Sequence, residues 1–316
     1  MVFGASGFIG RWVARGLCAQ GAQVHLVVRN VITAKPIFAG FGITGDIVEL
    51  NLEDPVGVAG LIKRAAPFVT FNLAGYGVDR SETDQDTAYR INAQLVEAIA
   101  QAVSQFRKPD WSGLDLVHVG STAEHGANGG HWPEDSPDSL PNPTTLYGRS
   151  KLAGTLALEK SSKHLGIKSL TARLFTVYGP GEHSGRLLPS LLEASRTKCP
   201  LPLTSGQQQR DFTYVGDVAA GLLRLGLARA RPGQIVDLST GRLTSVRRFV
   251  EIAAQVLDIP PENLQFGAIS TAQREKEWNL AETPVSVEPL RRLIGWIPPT
   301  GIEAGIRKTQ EFEIGQ

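Results

Sequence analysis

Val2-Phe3-Gly4-Ala5-Ser6-Gly7-Phe8-Ile9-Gly10 sets three glycines at three-residue intervals directly after an apolar pair. Phe8 to Ala19 then carries apolar residues at helical spacing. Strand, glycine turn and helix in that order is the setting in which such a repeat reads as a dinucleotide site, not as one more turn among 34 glycines. Gly4 allows the tight turn, Gly7 lets a pyrophosphate approach the backbone, and Gly10 lets the helix close on the sheet. Ser6, Phe8 and Ile9 line the same turn. The helix N-terminus adds unpaired N–H groups and the positive end of the helix dipole. Only Val2 and Phe3 precede the first glycine, so the first strand is either short or clipped from a start lying upstream.

Downstream, apolar runs alternate with helical patterns. Val24–Val28, Ile47–Leu50, Val69–Leu73, Leu114–Val119 and Ser169–Phe175 read as strands, and Ala88–Val103 as a helix. That alternation predicts an α/β fold, a doubly wound parallel (Rossmann) sheet with ligands at the carboxyl ends of its strands. The glycine turn, Leu73-Ala74-Gly75 and Ser121 all fall at such ends. From about Tyr178 the pattern is irregular and proline-rich, with helices at Leu187–Arg196 and Ser245–Leu257, as suits a smaller C-terminal substrate-binding lobe. The expected division is 1–176 for the nucleotide-binding unit, with 210–240 returning to it, and 177–209 plus 241–316 for the lobe. The loop Gly126–Thr145 is long enough to act as a cover.

With 316 residues and 42% hydrophobic content, the chain has ample material for a core. Lys plus Arg number 32 against 31 Asp plus Glu, a near-balance that gives no reason to expect nucleic acid or an anionic membrane as partner. Cys18 and Cys199 are too far apart in sequence to suggest a disulfide framework. His25, His118, His125, His131, His164 and His183 show no metal-ligand spacing. No apolar run reaches membrane-spanning length, and the expected location is the cytoplasm.

Tyr147-Gly148-Arg149-Ser150-Lys151 is the second informative stretch. On a helix from Leu146 to Lys160, Tyr147 and Lys151 share one face, a rise of roughly 6 Å apart. A phenol titrates near 10, and an adjacent ammonium favours the phenolate by about 1.4 kcal/mol per pH unit. Such a tyrosine passes a proton to or from an oxygen as hydride moves. Tyr and Lys on an exposed helix face are common. What lifts this pair is its place after a glycine fingerprint and after a strand ending in Gly120-Ser121-Thr122, whose hydroxyls can hold a substrate oxygen or merely cap the strand.

These motifs resemble the extended short-chain dehydrogenase/reductases, specifically the nucleotide-sugar epimerase/dehydratase/reductase family. Matching stretches are Gly4–Gly10, Asn72–Gly75, Asn92, Ser121–Gly126, Pro141–Lys151, Arg173–Gly181, Arg210–Val218 and Leu293–Pro298. The resemblance implies Tyr147 as acid/base, Lys151 as its tuner and ribose ligand, and Ser121 as hydroxyl partner. It implies Asn51 and Leu52 around adenine, with Asn in place of the family's Asp, and Tyr178 along the path of the nicotinamide. A nucleotide-diphosphate sugar is the implied substrate. Arg210 and, more weakly, Arg274 would grip its diphosphate, while Arg186 would add a phosphate contact or cap a helix. Thr122 lies beside the sugar, and His125 replaces the family's tyrosine. Homodimers through paired helices are common in such proteins.

NAD-specific members carry an acid at the end of the second strand. Here Val28 stands in that place, no Asp or Glu follows until Asp46, and Arg29 offers a guanidinium for a 2′-phosphate. NADP is therefore the expected cofactor, with NAD as the alternative. A 4,6-dehydratase needs an acid pair directly after the catalytic hydroxyl, where this chain has Thr122 and Ala123. The expectation is NADPH-dependent reduction of a 4-keto-6-deoxy sugar, with a 4-epimerase holding NAD as the alternative. An NADP-binding regulatory protein without turnover would typically lack Tyr147 or Lys151.

Overall fold

A computed structural model of the chain describes residues 1–79, 81–126, 141–269 and 285–315. The strands of the first half are β1 (Val2–Phe3), β2 (His25–Val28), β3 (Asp46–Glu49), β4 (Thr70–Asn72), β5 (Leu116–Ser121) and β6 (Ser169–Leu174). The second half adds β7 (Thr176–Tyr178), β8 (Leu201–Leu203), β9 (Gln209–Tyr214), β10 (Gln234–Leu238), β11 (Leu243–Ser245) and β12 (Leu264–Phe266). Seven of these form one sheet in the order β10-β6-β5-β4-β1-β2-β3, and every pairing in it is parallel. The order reverses between β1 and β4. In doubly wound sheets the ligand crevice opens at that switch, outside the carboxyl ends of the strands. The glycine turn after β1 and Leu73–Gly75 after β4 flank it.

The helices that cover this sheet are α1 (Phe8–Ala19), α2 (Val31–Gly40), α3 (Pro55–Ala65), α4 (Gln85–Tyr89), α5 (Leu95–Phe106) and α6 (Leu146–Leu165). They are followed by α7 (Leu187–Thr197), α8 (Val215–Gly226) and α9 (Val246–Val256). On one face Val13 and Ala14 of α1 meet Val218, Ala219 and Leu222 of α8 over Val2, Leu26 and Phe71. On the other, α3, α5 and α6 pack Leu61, Ile62, Ile99 and Leu158 over Phe3, Val27 and Leu116. Local signals place the helix ends. Asn30 caps α2 by accepting from Thr33 N–H, Asp54 precedes Pro55 at the start of α3, and Thr145 caps α6 by accepting from Gly148 N–H at 3.0 Å. Gly4 sits at φ +71°, a left-handed turn that β-carbon-bearing residues avoid.

The helix expected over Ala88–Val103 is present but not uniform. Between α4 and α5 the turn Arg90–Gln94 widens into a π-helix. Such bulges often sit at functional sites. This one carries Asn92, fully buried, whose side chain accepts from Tyr76 N–H at 3.0 Å and donates to Tyr76 O and to Ser150 Oγ, both at 2.8 Å. The widened turn thus ties the loop after β4 to α6.

The irregular second half holds a three-stranded sheet, β11-β9-β7, and a parallel pair, β12-β8. A third apolar cluster joins them to α7, α9 and the helix Ile302–Ile314, through Tyr178, Leu191, Phe212, Phe249 and Ile306. Within 210–240, α8 and β10 pack with the large sheet, whereas β9 lies in the small one. Buried Asp211 knits the two regions. Its Oδ1 accepts from Thr240 N–H at 3.1 Å and from the Thr240 hydroxyl at 3.0 Å, and its Oδ2 accepts from Arg242 N–H at 3.2 Å.

Candidate active site

β5 ends on Ser121 just as α6 begins at Leu146, and the two elements bring the expected groups together. The Tyr147 phenol lies within the influence of the Ser121 side chain, which favours its ionised form. A Cβ on Gly77, in the loop after β4, would come within 3.3 Å of the Tyr147 ring, so that loop roofs the phenol closely. Lys151, one turn further along α6, is 3% exposed and donates from Nζ to Val119 O at 2.6 Å. Both Val119 and Ser121 belong to β5.

Burial pushes the Tyr147 phenol up to about 12, and the Glu124 and Glu82 carboxylates add to this, while the bond to Ser121 and the Arg186 charge oppose it. Burial draws the Lys151 ammonium down to about 8 against the attraction of Glu124. Lys151 is turned to the Val119 carbonyl, and desolvation is the largest influence on Tyr147. Burial therefore favours the protonated phenol at neutral pH.

The glycine turn fits a dinucleotide. Gly7 caps α1 with no side-chain hydrogen bond, and no acid occupies the first helical turn, so nothing there competes with an anion for the N–H groups. A Cβ on Gly10 would overlap the Gly4 carbonyl oxygen, so only glycine lets α1 seat on the turn. Ser6, Phe8 and Ile9 are partly exposed and Gly7 is exposed, while Phe8 and Ile9 also touch the third apolar cluster. The turn therefore lies where the two regions of the molecule meet. Arg29 is exposed just past β2. One acid approaches from the neighbouring strand, since Glu49 Oε2 accepts from Val31 N–H at 2.8 Å. Leu73 is half-buried, Ala74 buried and Gly75 exposed at the end of β4.

Other expected ligands sit differently. Leu52 is packed in the core beside α3, so only its backbone can face adenine, and the Asn51 side chain accepts from Glu53 N–H at 3.1 Å. Tyr178 is corrected outright as a side-chain ligand. Its ring is 2% exposed among Phe212, Tyr214 and Phe249, and its hydroxyl points to the carbonyls of Gly301 and Ile302. It is a core aromatic of the second lobe. Thr122 is half-buried in the short turn Thr122–Glu124. Arg186 precedes α7 with Nε 3.7 Å from Glu182 Oε1, and its charge reaches Tyr147. Burial raises the Glu182 carboxyl to about 7 against the nearby Arg186. Arg210 lies on β9, where its Nη1 donates to Gln209 O at 2.9 Å, and Arg274 lies outside the described residues. A cavity of about 560 Å³ runs along α7 past Gly181, Glu182, Arg196 and Glu313, and neither Ser121, Tyr147 nor Lys151 lines it.

Two acids near the phenol escaped the sequence reading. Glu82 accepts from Gly77 N–H at 2.7 Å in the loop that roofs Tyr147. Glu124 is 1% exposed; its Oε1 accepts from Ser121 N–H at 2.7 Å and its Oε2 from the Thr155 hydroxyl at 2.9 Å. The signal for Glu124 was present, because Ser121-x-x-Glu124 is the spacing of a capping box.

Comparison with known proteins gives this geometry a family. Residues 1–238 match the model of the NAD dependent epimerase/dehydratase family. The dTDP-6-deoxy-L-talose 4-dehydrogenase (NAD(P)(+)) of Kitasatospora kifunensis is 28% identical, over 97% of this chain and 93% of that protein. UDP-glucose 4-epimerase of Mycolicibacterium smegmatis is 27% identical, over 99% of this chain and 97% of that one. In structure, the UDP-glucose 4-epimerase of Thermotoga maritima with UDP-glucose superposes with a TM-score of 0.81 at 19% identity, covering 99% of this chain and 98% of the other. Among the described residues no helix is long and apolar enough to cross a membrane. The glycine turn and the sheet around it thus have their place in a known lineage: the chain belongs to the NAD-dependent epimerase/dehydratase family of extended short-chain dehydrogenases/reductases and is an NAD(P)-dependent nucleotide-sugar enzyme.

Proposed function

We propose that the protein reduces the 4-keto group of a nucleotide-diphosphate 6-deoxy sugar with NADPH. The observation that carries this reading is the placement of the Tyr147 phenol by the Ser121 side chain at the end of β5, where burial keeps the phenol protonated and so able to give a proton to an oxygen. The bound nicotinamide would supply the hydride. Ser121 would hold the carbonyl oxygen by its hydroxyl, and the proton would pass from Tyr147 Oη to that oxygen as it becomes a hydroxyl. Segments 177–209 and 241–316 would form the sugar-facing lobe, with Arg186 and Arg210 on the diphosphate and Lys151 on the cofactor ribose. The relative named as a dTDP-6-deoxy-L-talose 4-dehydrogenase supports chemistry at C4 of a 6-deoxy sugar.

The test is loss of reduced nicotinamide on mixing the purified protein with NADPH, or separately NADH, and a panel of nucleotide 4-keto-6-deoxy sugars. Stoichiometric consumption with one sugar supports the reductase, whereas consumption with none sinks it. A second reading, a 4-epimerase with tightly held NAD, draws support from Glu49, the acid beside the end of β2 where a ribose would lie. Release of NAD from denatured protein would favour it.

Arg29 separates the two cofactors. A charge-assisted bond contributes about 1.5–3 kcal/mol, so Arg29→Asp is expected to weaken NADPH binding by about 10- to 100-fold and to leave NADH binding equal or tighter. Titration of both nucleotides against the variant checks this. Unchanged NADPH affinity would remove Arg29 from the cofactor site.

A further inference from the structure

β2 ends without an acid, and the strand beside it ends on one, Glu49. The two strands run parallel, and Val28, which stands where an acid for the ribose would, is in register with Glu49. Leu50 N–H donates to Val28 O at 3.0 Å, so the register holds to the last residue of both strands. From there the Glu49 side chain reaches the loop after β2, where its Oε2 accepts from Val31 N–H at 2.8 Å. Val31 is the first residue of α2, and the capping residue Asn30 takes Thr33 N–H at 3.0 Å. The acids that follow along the chain are committed elsewhere. Glu53 is ion-paired with Arg90, and Asp54 caps α3 through Val56 N–H at 3.0 Å.

The loop Arg29–Val31 leaves the sheet beside the glycine turn, because Phe3 is in register with Val27 and Ala5 N–H donates to Val27 O at 3.2 Å. The ribose of a dinucleotide held by its pyrophosphate at that turn would lie at the end of β2. Two side chains of opposite charge meet there, and both are exposed: the Arg29 guanidinium and the Glu49 carboxylate. A guanidinium suits a 2′-phosphate, whereas a carboxylate accepts from a 2′-hydroxyl and repels a 2′-phosphate. The N–H that Glu49 occupies is one of the donors a helix leaves unpaired at its start, the kind of group an anion takes. Glu49 thus already holds, with its own charge, a donor for which a 2′-phosphate would compete.

We propose that Glu49 is a specificity-determining residue for the cofactor, an acid from β3 that takes the place of the one β2 lacks. Its carboxylate receives the ribose 2′-hydroxyl of NADH. It must leave Val31 N–H before the 2′-phosphate of NADPH settles beside Arg29. Arg29 and Glu49 therefore act on the same ribose with opposite sign, and the chain accepts both dinucleotides in a ratio that these two side chains set. A mere cap of α2 would affect stability and leave that ratio alone. The proposal rests on the seat of the cofactor at the glycine turn and the end of β2, and not on the sugar reaction.

The experiment measures binding, with no sugar present. NADPH and NADH are titrated by their fluorescence against the unaltered protein, Glu49→Gln and Glu49→Ala. In parallel, adenosine 2′,5′-bisphosphate is compared by calorimetry with adenosine 5′-monophosphate, a pair that differs only in the 2′-phosphate. Glu49→Gln keeps an acceptor for Val31 N–H and removes the charge. Its affinity for NADPH relative to NADH should rise by about tenfold, and the ratio for the two fragments should rise with it. Glu49→Ala should raise both ratios as far, with a lower Tm because α2 loses its acceptor. Ratios equal in the unaltered protein and Glu49→Gln overturn the proposal and leave Glu49 as a cap of α2, whatever Glu49→Ala does. If the unaltered protein binds neither NADPH nor NADH, the seat at the glycine turn fails and the proposal falls with it. Shifted ratios uphold the proposal even where no 4-keto sugar is reduced, so the failure of the reductase reading is read separately.

Discussion

Tyr147→Phe is expected to lower sugar-dependent oxidation of NADPH by about 10²- to 10⁴-fold, the usual worth of a positioned general acid. The Phe ring keeps the packing under Gly77 and remains half-buried, so what is lost is one oxygen. That oxygen is the proposed proton donor, and it lies within the influence of the Ser121 side chain. Stability should change by only about 1 kcal/mol, since the Ser121 hydroxyl keeps its bond from Ala123 N–H at 3.2 Å. NADPH affinity should stay within a few-fold, because in the proposed site the phosphates would meet the glycine turn and not the phenol. Steady-state rates and a nucleotide titration on the same variant separate the two effects. A Phe variant with a tenth or more of the original turnover would show that the proton comes from elsewhere, with Glu82 and Glu124 the next acids to test.

How much of this was legible in the chain differs from element to element. α1 spans Phe8–Ala19, the same limits that the helical spacing predicts, because a glycine turn on one side and Gln20-Gly21 on the other punctuate it. The parallel order of the large sheet follows from strands alternating with helices. The small sheets were not legible: β7, β8, β11 and β12 have three residues each, too short for a period of two to emerge. In the site, the meeting of Ser121 with Tyr147 was anticipated by motif, but the direction of the phenol's titration was not. Sequence spacing reports that an ammonium lies one turn away; it does not report that the ammonium faces a strand carbonyl or that the phenol is enclosed. Tyr178 misled for a related reason, since a motif locates a backbone segment and the side chain's direction depends on the aromatic cluster that receives it. Glu124 could have been read from its capping-box spacing, yet nothing local says that a capping acid will be buried against the hydroxyl of a threonine 31 positions later.

The other large effect is expected at Gly10. In Gly10→Ala the new methyl would overlap the Gly4 carbonyl oxygen and lie 3.1 Å from the Ala5 Cα, so both obstacles are backbone and neither can rotate aside. Either α1 lifts from the turn, pulling Val13 and Ala14 out of register with α8, or the turn itself shifts. Overpacking of this kind costs about 1–3 kcal/mol, and with backbone on both sides the upper end is expected. The loss should fall on binding as well as on folding, because the displaced atoms are those that set the N–H groups of the first helical turn. NADPH affinity is therefore expected to drop by at least about tenfold, as measured by titration, together with a lower Tm. Gly21→Ala is the control. Gly21 has φ +73° with nothing within 4 Å of the added carbon, so Ala there costs backbone strain of about 1 kcal/mol without touching the turn. A loss of NADPH affinity in Gly10→Ala of about tenfold or more, with Gly21→Ala destabilised yet binding NADPH as the unaltered protein does, would support a role of the third glycine at the nucleotide. Equal effects on both would mean that Gly10 acts only through the fold, and that phosphate binding tolerates a shifted helix.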